Sequence, residues 1–588
     1  MGRMVQFHEE GYMKYEKIGA GLASVMSDFE DRGRIGLAKH IHTLGVIAPV
    51  ESPKPPRISV FLQCDDKAKL DHLANYGIVI NQPTGNVRTA FVPLESIGPL
   101  TEEPAVRRVV ASRYLKLLMD VAPGSVKLPV FRNKSGLSGK GVIIGVVDTG
   151  IDSSHPAFAG RILRIWDQTL PGSGVPEGSY GQELIGTAMA MSRDQHGHGT
   201  HVSGIAAGSH PLYTGVAPDA DLVMVKSDLN NTHISDGIRY IFRLAGDQNK
   251  AAVINLSLGG HYDAHDGTDS LALFIDTEAG PGKIVCCAAG NEGRDAIHAQ
   301  ISVSAGAVGT APFSLMPPSN PLLGPMSELN GWYSGVEQFE VGIKSPSGSQ
   351  TPFQGSITSS NPAQTYTLPE GRVRIITPGA DPNNGDFNFQ IEIVPNSTPL
   401  PNDPMWELLL RAINVQAGRV DVWAPDGATF DVTVATNDMK VGSPGTASSA
   451  VTVAAYTTKN QWTDLQGNSQ SVGLGINDIS DFSSPGPLRN SNRKPDVTAP
   501  GAMIAAPLSS ASQVNAGWIV APGFRLMAGT SMSTPFVTGI VALLLQQNPA
   551  LDPPNAKQTL QQACAVPGQA GGAFDIKWGY GLVDCSIL

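Results

Sequence analysis

Apolar positions along the chain change their spacing several times, and each change marks a different kind of element. Residues 1–50 carry a mixed helical pattern that includes MSDFEDRGRIGLAKHIHTL, and ESPKPP (51–56) reads as a stiff linker. From 57 to about 115 the pattern predicts strand, helix, strand, helix, strand: RISVFLQ, DKAKLDHLANYG, NVRTAFVPLES, LESIGPLTEEPAV and VRRVVAS. Five elements in so short a stretch make a small α+β domain.

From about 136 to 294 the strands become nearly continuous apolar runs. VIIGVVDTG, ADLVMVKS, AAVINLSLGG and KIVCCAAGNEG each end in Gly, Ser, Asn or Asp, and helical segments such as ISDGIRYIFRLAG lie between them. Strands apolar on both faces and alternating with helices predict an α/β domain built on a buried parallel sheet. Ligands of such sheets sit at the carboxyl ends of the strands, where the polar residues fall here. From about 295 the helical spacing fades. FEVGIKS, RVRIITP, DFNFQIEIVP, RVDVWAP and TFDVTVATN alternate with period 2 between Gly/Pro/Asn turns such as DPNNGD, which predicts an inserted β-sandwich. At SSAVTVAAY (448–456) the buried-strand style returns and the α/β domain resumes. The expected boundaries are 1–56 for the N-terminal extension and linker, 57–120 for the α+β domain, 121–294 and 443–588 for the two parts of the α/β domain, and 295–442 for the insert.

Composition narrows the function classes. The chain has 588 residues, too many for one core, and its 41% hydrophobic and 16% charged content belongs to a folded chain. The net charge of −11 and the lack of a Lys/Arg cluster argue against a nucleic-acid partner. The five cysteines are odd in number and show no CxxC pair, so no disulfide framework is expected. Cys286 and Cys287 read as buried strand residues. FVTGIVALLL (536–545) is too short to span a bilayer. The first residues have no apolar signal-peptide core, so a cytoplasmic protein is expected, with unconventional secretion as the other route.

The chemistry concentrates in three segments. VVDTGID places Asp148 after an apolar run, GHGTHVSG places His198 at the head of a small-residue helix, and AGTSMSTPFVTGIVALLL places Ser531 at the start of an apolar helix. A serine hydroxyl needs an adjacent base to attack, a neutral imidazole suits that task, and a buried carboxylate holds the imidazole tautomer. Asn291, in AAGNEG after another buried strand, offers an amide donor to a developing oxyanion, and the Ser531 N–H at a helix start offers a second. Two other readings compete. His196, His198 and His201, with Asp194, have the composition of a zinc site, but that leaves the serine motif unexplained. Ser533 shares the serine motif, and spacing alone does not reject it.

Taken together and in order, GVVDTGID, HGTHVSGIAAG, AAGNEG and GTSMSTPFVTG resemble the four signature segments of the subtilisin-like serine proteases (subtilases, family S8). GVAPDADL, INLSLGG, FSSPGP and KPDVTAPG are similar to further family segments. The resemblance covers about 136–294 and 443–588. It implies a subtilisin-like α/β fold and an endopeptidase acting through an acyl-enzyme, with Asp148 as orienting acid, His198 as base, Ser531 before Met532 as nucleophile and Asn291 in the oxyanion hole. Ser257-Leu258-Gly259 and Ala288-Ala289-Gly290 resemble the two strands lining the primary specificity pocket, where a peptide or protein substrate pairs as an added strand.

The same resemblance makes residues 57–115 similar to a subtilase propeptide, a partner that occupies the cleft. Self-cleavage is then expected within SRYLKLLMDVAPG (112–124), where Leu115, Leu117, Leu118 and Met119 indicate a large apolar preference. The β-insert is similar to the jelly-roll insert of Csp-type subtilases of spore germination, which also have a loop like LGGHYDAHDGTD. No cofactor is required for the chemistry. HYDAHDGTD (261–269) has carboxylates for a structural calcium but lacks the full loop spacing, and reads otherwise as a polar loop beside the cleft. Two alternative functions are a protease-like scaffold that binds without turnover and a peptide ligase on the same triad.

Overall fold

The computed structural model describes residues 13–41, 44–48, 54–113, 116–117, 124–317, 326–356, 362–396 and 405–588. The chain divides into two compact units. One comprises Met1–Arg113, Ser302–Thr310 and Pro317–Val420, and the other Tyr114–Ile301, Ala311–Met316 and Asp421–Leu588.

The first unit joins the N-terminal region to most of the insert. Helix α1 (Ala20–Arg32) precedes strand β1 (Arg57–Cys64), which pairs antiparallel with β2 (Val87–Pro93) on one side and β3 (Val106–Ala111) on the other. The helix predicted over 66–77 is only a 3-10 turn at Asp71–Tyr76. Leu70 and Leu73 are its buried apolar anchors, and Gly77 at φ +72° turns the chain away, so two anchors did not sustain a helix. In the insert, Ser327–Tyr333, Phe387–Pro395, Gly371–Ala380 and Ala363–Leu368 form an antiparallel run in that order, and Gln338–Lys344 pairs with Met405–Asn414. Leu22, Val25, Val60, Leu62 and Val109 pack in one core with Ala363 and Ile376 of the insert. A buried ion network crosses the same contact. The Arg374 guanidinium grips both oxygens of Asp28, His40 Nε2 lies 2.7 Å from Asp28 Oδ2, and the Ser24 hydroxyl donates to Glu392.

The second unit is built on a mixed eleven-stranded sheet. Besides β4 (Lys116–Leu117) and β9 (Leu258–Gly259), which pair with each other outside it, the unit contributes β5 (Ile143–Asp148), β6 (Ile162–Asp167), β7 (Asp221–Lys226), β8 (Ala252–Leu256), β10 (Lys283–Ala288), β11 (Val451–Thr457) and β12 (Val497–Ala502). The sheet centre is parallel, in the order β12-β11-β10-β8-β5-β7-β6. Antiparallel partners include Gln182–Leu184 at one margin and Asp478–Ile479, which pairs with the end of β11. The chain leaves β5 for neighbours on both sides, and such a switch point opens a crevice at the carboxyl ends. Three helices concern the site or its flank: α2 (His198–Ala207), α3 (Asn231–Asp247) and α4 (Thr530–Gln547). Every residue of α4 from Thr530 to Leu545 is buried, as expected of a helix apolar on all sides.

TFDVTVATN supplies only the short strand Ala428–Phe430. Asp431 then accepts the Thr433 N–H and hydroxyl, a local turn that competes with strand pairing, and leaves Val432 exposed. The cysteines are all free and buried. Among the described residues, no helix is long and apolar enough to cross a membrane.

Candidate active site

Asp148 closes β5 and is fully buried. Its two oxygens lie 2.8 and 3.0 Å from His198 Nδ1, and Oδ1 also accepts the Thr149 N–H at 2.7 Å. A proton held at Nδ1 leaves the Nε2 lone pair as the base. His198 begins α2, where Gly197 at φ +85° brings the chain into the helix. Gly199 has a steric reason to be glycine: a Cβ there would sit 2.1 Å from the Gly150 carbonyl oxygen and 3.2 Å from the Asp148 Cβ.

Asp194 fastens this turn. Its Oδ1 accepts the Gly197 N–H (2.8 Å) and the Thr149 hydroxyl (2.9 Å), and its Oδ2 accepts the Thr200 N–H (2.8 Å) and hydroxyl (2.7 Å). One fully buried carboxylate therefore caps α2 and ties it to the residue after Asp148. The sequence offered Asp194 only as a companion of the three histidines in a zinc reading. Neither His196 nor His201 joins His198 in a ligand set. His196 is exposed, its ring 6.1 Å edge-on from that of His198. His201 is buried with Nε2 3.2 Å from the carbonyl oxygens of Ile504 and Arg525, and burial together with the Arg525 charge pushes its pKa well down.

Ser531 is the second residue of α4. Its hydroxyl donates to the Ser257 carbonyl at 2.9 Å, and the Ser257 hydroxyl donates to the Ser531 carbonyl at 2.7 Å. Asn255 Nδ2 steadies the exchange by donating to Ser257 Oγ at 2.9 Å. Ser533 has a different occupation: its hydroxyl is bonded to the Thr530 carbonyl at 2.9 Å inside the helix.

Asn291 follows β10 on a tightly held turn. Its Oδ1 accepts the Thr530 N–H at 2.9 Å and the Thr530 hydroxyl at 3.0 Å, which leaves Nδ2 as the group able to donate to an oxyanion. Gly290 has φ +115°, and a Cβ there would meet Ser484 Oγ at 2.6 Å and Glu292 Oε2 at 2.8 Å. Ser484 binds the turn on both sides: its N–H donates to the Gly290 carbonyl and its Oγ accepts the Glu292 N–H, each at 3.0 Å. Thr530, Ser484 and Glu292 lie inside quoted motifs, yet only the fold reveals their partners.

The proposed pocket walls are Ser257-Leu258-Gly259 and Ala288-Ala289-Gly290. The Leu258–Gly259 edge is paired: β4 runs antiparallel to β9, with Leu117 opposite Leu258 and Lys116 opposite Gly259. Most of the expected self-cleavage stretch, residues 114–115 and 118–123, lies outside the described residues. In 261–269, Asp266 accepts the Thr268 N–H and pairs with Arg489, while Asp269 accepts the Leu271 and Ala272 N–H groups and the Ser443 hydroxyl. Among the described residues, no group of three His, Cys, Asp or Glu side chains is arranged to hold a metal ion.

Fold and site together define an α/β protein with a buried Asp148–His198 pair at the end of a parallel strand and Ser531, later in the chain, at the start of a buried helix. The chain belongs to the subtilase family: the family model Peptidase_S8 (Subtilase family) matches residues 139–316 and 399–581. It is 33% identical over 212 residues to "Serine protease AprX" of Bacillus subtilis, covering 33% of this chain and 43% of that protein. It is 30% identical over 221 residues to "Subtilase-type proteinase psp3" of Schizosaccharomyces pombe, covering 34% of this chain and 43% of that protein. The matched stretches thus span less than half the length of these two relatives. Among solved structures, the CspB protease of Clostridium perfringens shares the fold with a TM-score of 0.64 at 24% identity, covering 78% of this chain and 96% of that one.

Proposed function

We propose that the chain is a serine endopeptidase that hydrolyses peptide bonds through an acyl-enzyme. His198, oriented by Asp148, removes the Ser531 proton. Ser531 Oγ attacks the scissile carbonyl, and the Asn291 amide with the Ser531 N–H stabilises the oxyanion. The protonated imidazole then gives its proton to the leaving amine, and water, activated by the same base, releases the acid. The observation that carries this reading is the buried Asp148–His198 contact of 2.8 Å, with Ser531 heading its own helix and Asn291 tied to Thr530 beside it. Serine proteases among the similar proteins, such as AprX, support the same assignment.

The N-terminal region acts as the protein's own first partner, self-inhibiting and cleaved by the same site. Supporting this is the register of β4, which lies antiparallel on Leu258–Gly259 as a peptide substrate would. Running from Lys116 to Leu117, the chain heads for the Ser257 end of that edge, whose carbonyl accepts the Ser531 hydroxyl. N-terminal sequencing tests both parts. Wild-type protein, incubated alone, is expected to acquire a new terminus within 112–124 and to cleave an unfolded protein substrate, and Ser531→Ala to do neither. Processing at the same point in Ser531→Ala overturns the proposal, as does active wild-type enzyme that keeps its original terminus.

A further inference from the structure

A chain of histidines leads from the insert to the oxyanion-hole turn. Strand Arg419–Asp426 of the insert carries Trp423, whose ring lies between His265 (3.9 Å between centroids, 3° between planes) and His298 (4.6 Å, 20°). His265 Nε2 lies 2.9 Å from His261 Nδ1, and His261 Nε2 lies 3.3 Å from Glu292 Oε2. That carboxylate oxygen also accepts the Asn291 N–H at 2.7 Å and the Ser484 hydroxyl at 3.1 Å. His261 lies two residues after the wall Ser257-Leu258-Gly259, and Glu292 two residues after the wall Ala288-Ala289-Gly290. Their contact therefore joins the ends of the two proposed pocket walls.

His265 Nδ1 faces the Asp263 carbonyl oxygen at 3.1 Å. Burial, with the charges of His261, His298 and Arg489 around it, pushes the His265 pKa well down. The other charged groups around this chain are Asp263 and Asp266 of the same loop, Asp421 and Asp438 on His298, and Lys440, which bonds the Gly293 and Asp295 carbonyls.

We propose that His261 is a positioning residue for the oxyanion hole: it clamps the Glu292 carboxylate, which in turn holds the Asn291 peptide. The role rests on Asn291 being the oxyanion donor. It goes beyond that assignment by giving the loop 261–269 and Trp423 of the insert a task in catalysis. An oxyanion donor acts in the transition state, so loosening it lowers kcat and spares KM.

The test is a double-mutant cycle on the full chain, with kcat expressed per site titrated by a fluorophosphonate. His261→Ala and Glu292→Gln are each expected to lower kcat about tenfold with KM within about twofold, a fraction of the ~10²–10³ that a whole oxyanion donor supplies. The double variant is expected to be no worse than the poorer single one. His261→Gln, which keeps a donor towards Glu292, is expected to restore most of kcat. Unchanged kcat in His261→Ala, or losses that multiply in the double variant, overturns the positioning role. If His261→Ala does not fold, unchanged kcat in Glu292→Gln decides against the role, and a kcat-only loss there with near-normal His261→Gln supports it. Asn291→Ala, run alongside, separates the two failures: full activity there removes the oxyanion assignment itself, whereas a large loss there with a silent His261→Ala removes only this proposal.

Discussion

Asp194→Ala probes the part of the site that the motifs do not advertise. The carboxylate is fully buried and accepts two backbone N–H groups, Gly197 and Thr200, and two hydroxyls, Thr149 and Thr200. The hydroxyls can rotate to other acceptors, but the amides cannot. A buried donor left unsatisfied costs about 1–3 kcal/mol and a lost helix cap about 1–2 kcal/mol, so the expected destabilisation is about 2–5 kcal/mol. Catalysis should suffer as well, because this carboxylate ties the first turn of α2 to the residue that follows Asp148. Misplacing a catalytic group by ~1 Å can cost ~10²-fold, so a partial shift of His198 is expected to lower kcat roughly tenfold. Asp194→Asn keeps one acceptor oxygen and should fall between wild type and alanine. Urea unfolding followed by tryptophan fluorescence, with kcat per titrated site in the same preparations, gives both numbers. An unchanged urea midpoint at unchanged slope would refute the capping role, and a lowered midpoint with undiminished kcat would refute the link from cap to catalytic histidine.

Three further outcomes follow from the same geometry. Asn291→Ala should lower kcat by about 10²–10³ with KM nearly unchanged, a magnitude that comes from subtilisin itself; a KM effect alone in steady-state assays would count against the oxyanion role. Arg374→Ala takes the buried guanidinium from Asp28 and Glu392, leaving them His40 and the Ser24 hydroxyl, and should destabilise the chain by about 3–5 kcal/mol in urea; a loss below about 1 kcal/mol would show the network to be dispensable. Burial lowers Lys494 to about 8, against ~10.4 for a free chain. Between those values the unfolded chain binds the extra proton, so this group makes stability rise with pH across that window. Denaturation at pH 8 and pH 10 should show that rise in wild type relative to Lys494→Met, and parallel pH dependences would contradict the assignment.

Much of the site was legible because its segments are local. An apolar run ending in Asp or Asn, or a glycine-framed helix start bearing His or Ser, announces a strand end or a helix head without any tertiary information. Asp148, His198, Asn291 and Ser531 fall at such places in the structure. Contacts between distant segments were not legible in this way. Thr530 holds Asn291, Ser484 holds Glu292, and Lys116–Leu117 pairs with Leu258–Gly259, all across long sequence separations. Two elements were over-read for a related reason. Residues 66–77 have a helical spacing with only two buried anchors, Leu70 and Leu73, and 431–437 have a strand pattern that an Asp–Thr turn defeats. In both, local chemistry at Gly77 or Asp431 outweighed a weak apolar period. The packing of α1 against Arg374 and Glu392 of the insert had no sequence signal, because its residues are charged and lie some 350 positions apart.

The most direct test of the account is to identify the residue that a fluorophosphonate modifies. Peptide mapping of the labelled wild-type protein should find the phosphonyl group on Ser531 alone, and Ser531→Ala, folded by its melting curve, should lose labelling and peptide cleavage together. A label on Ser533 or any other serine, or peptide cleavage that persists in Ser531→Ala, would contradict it.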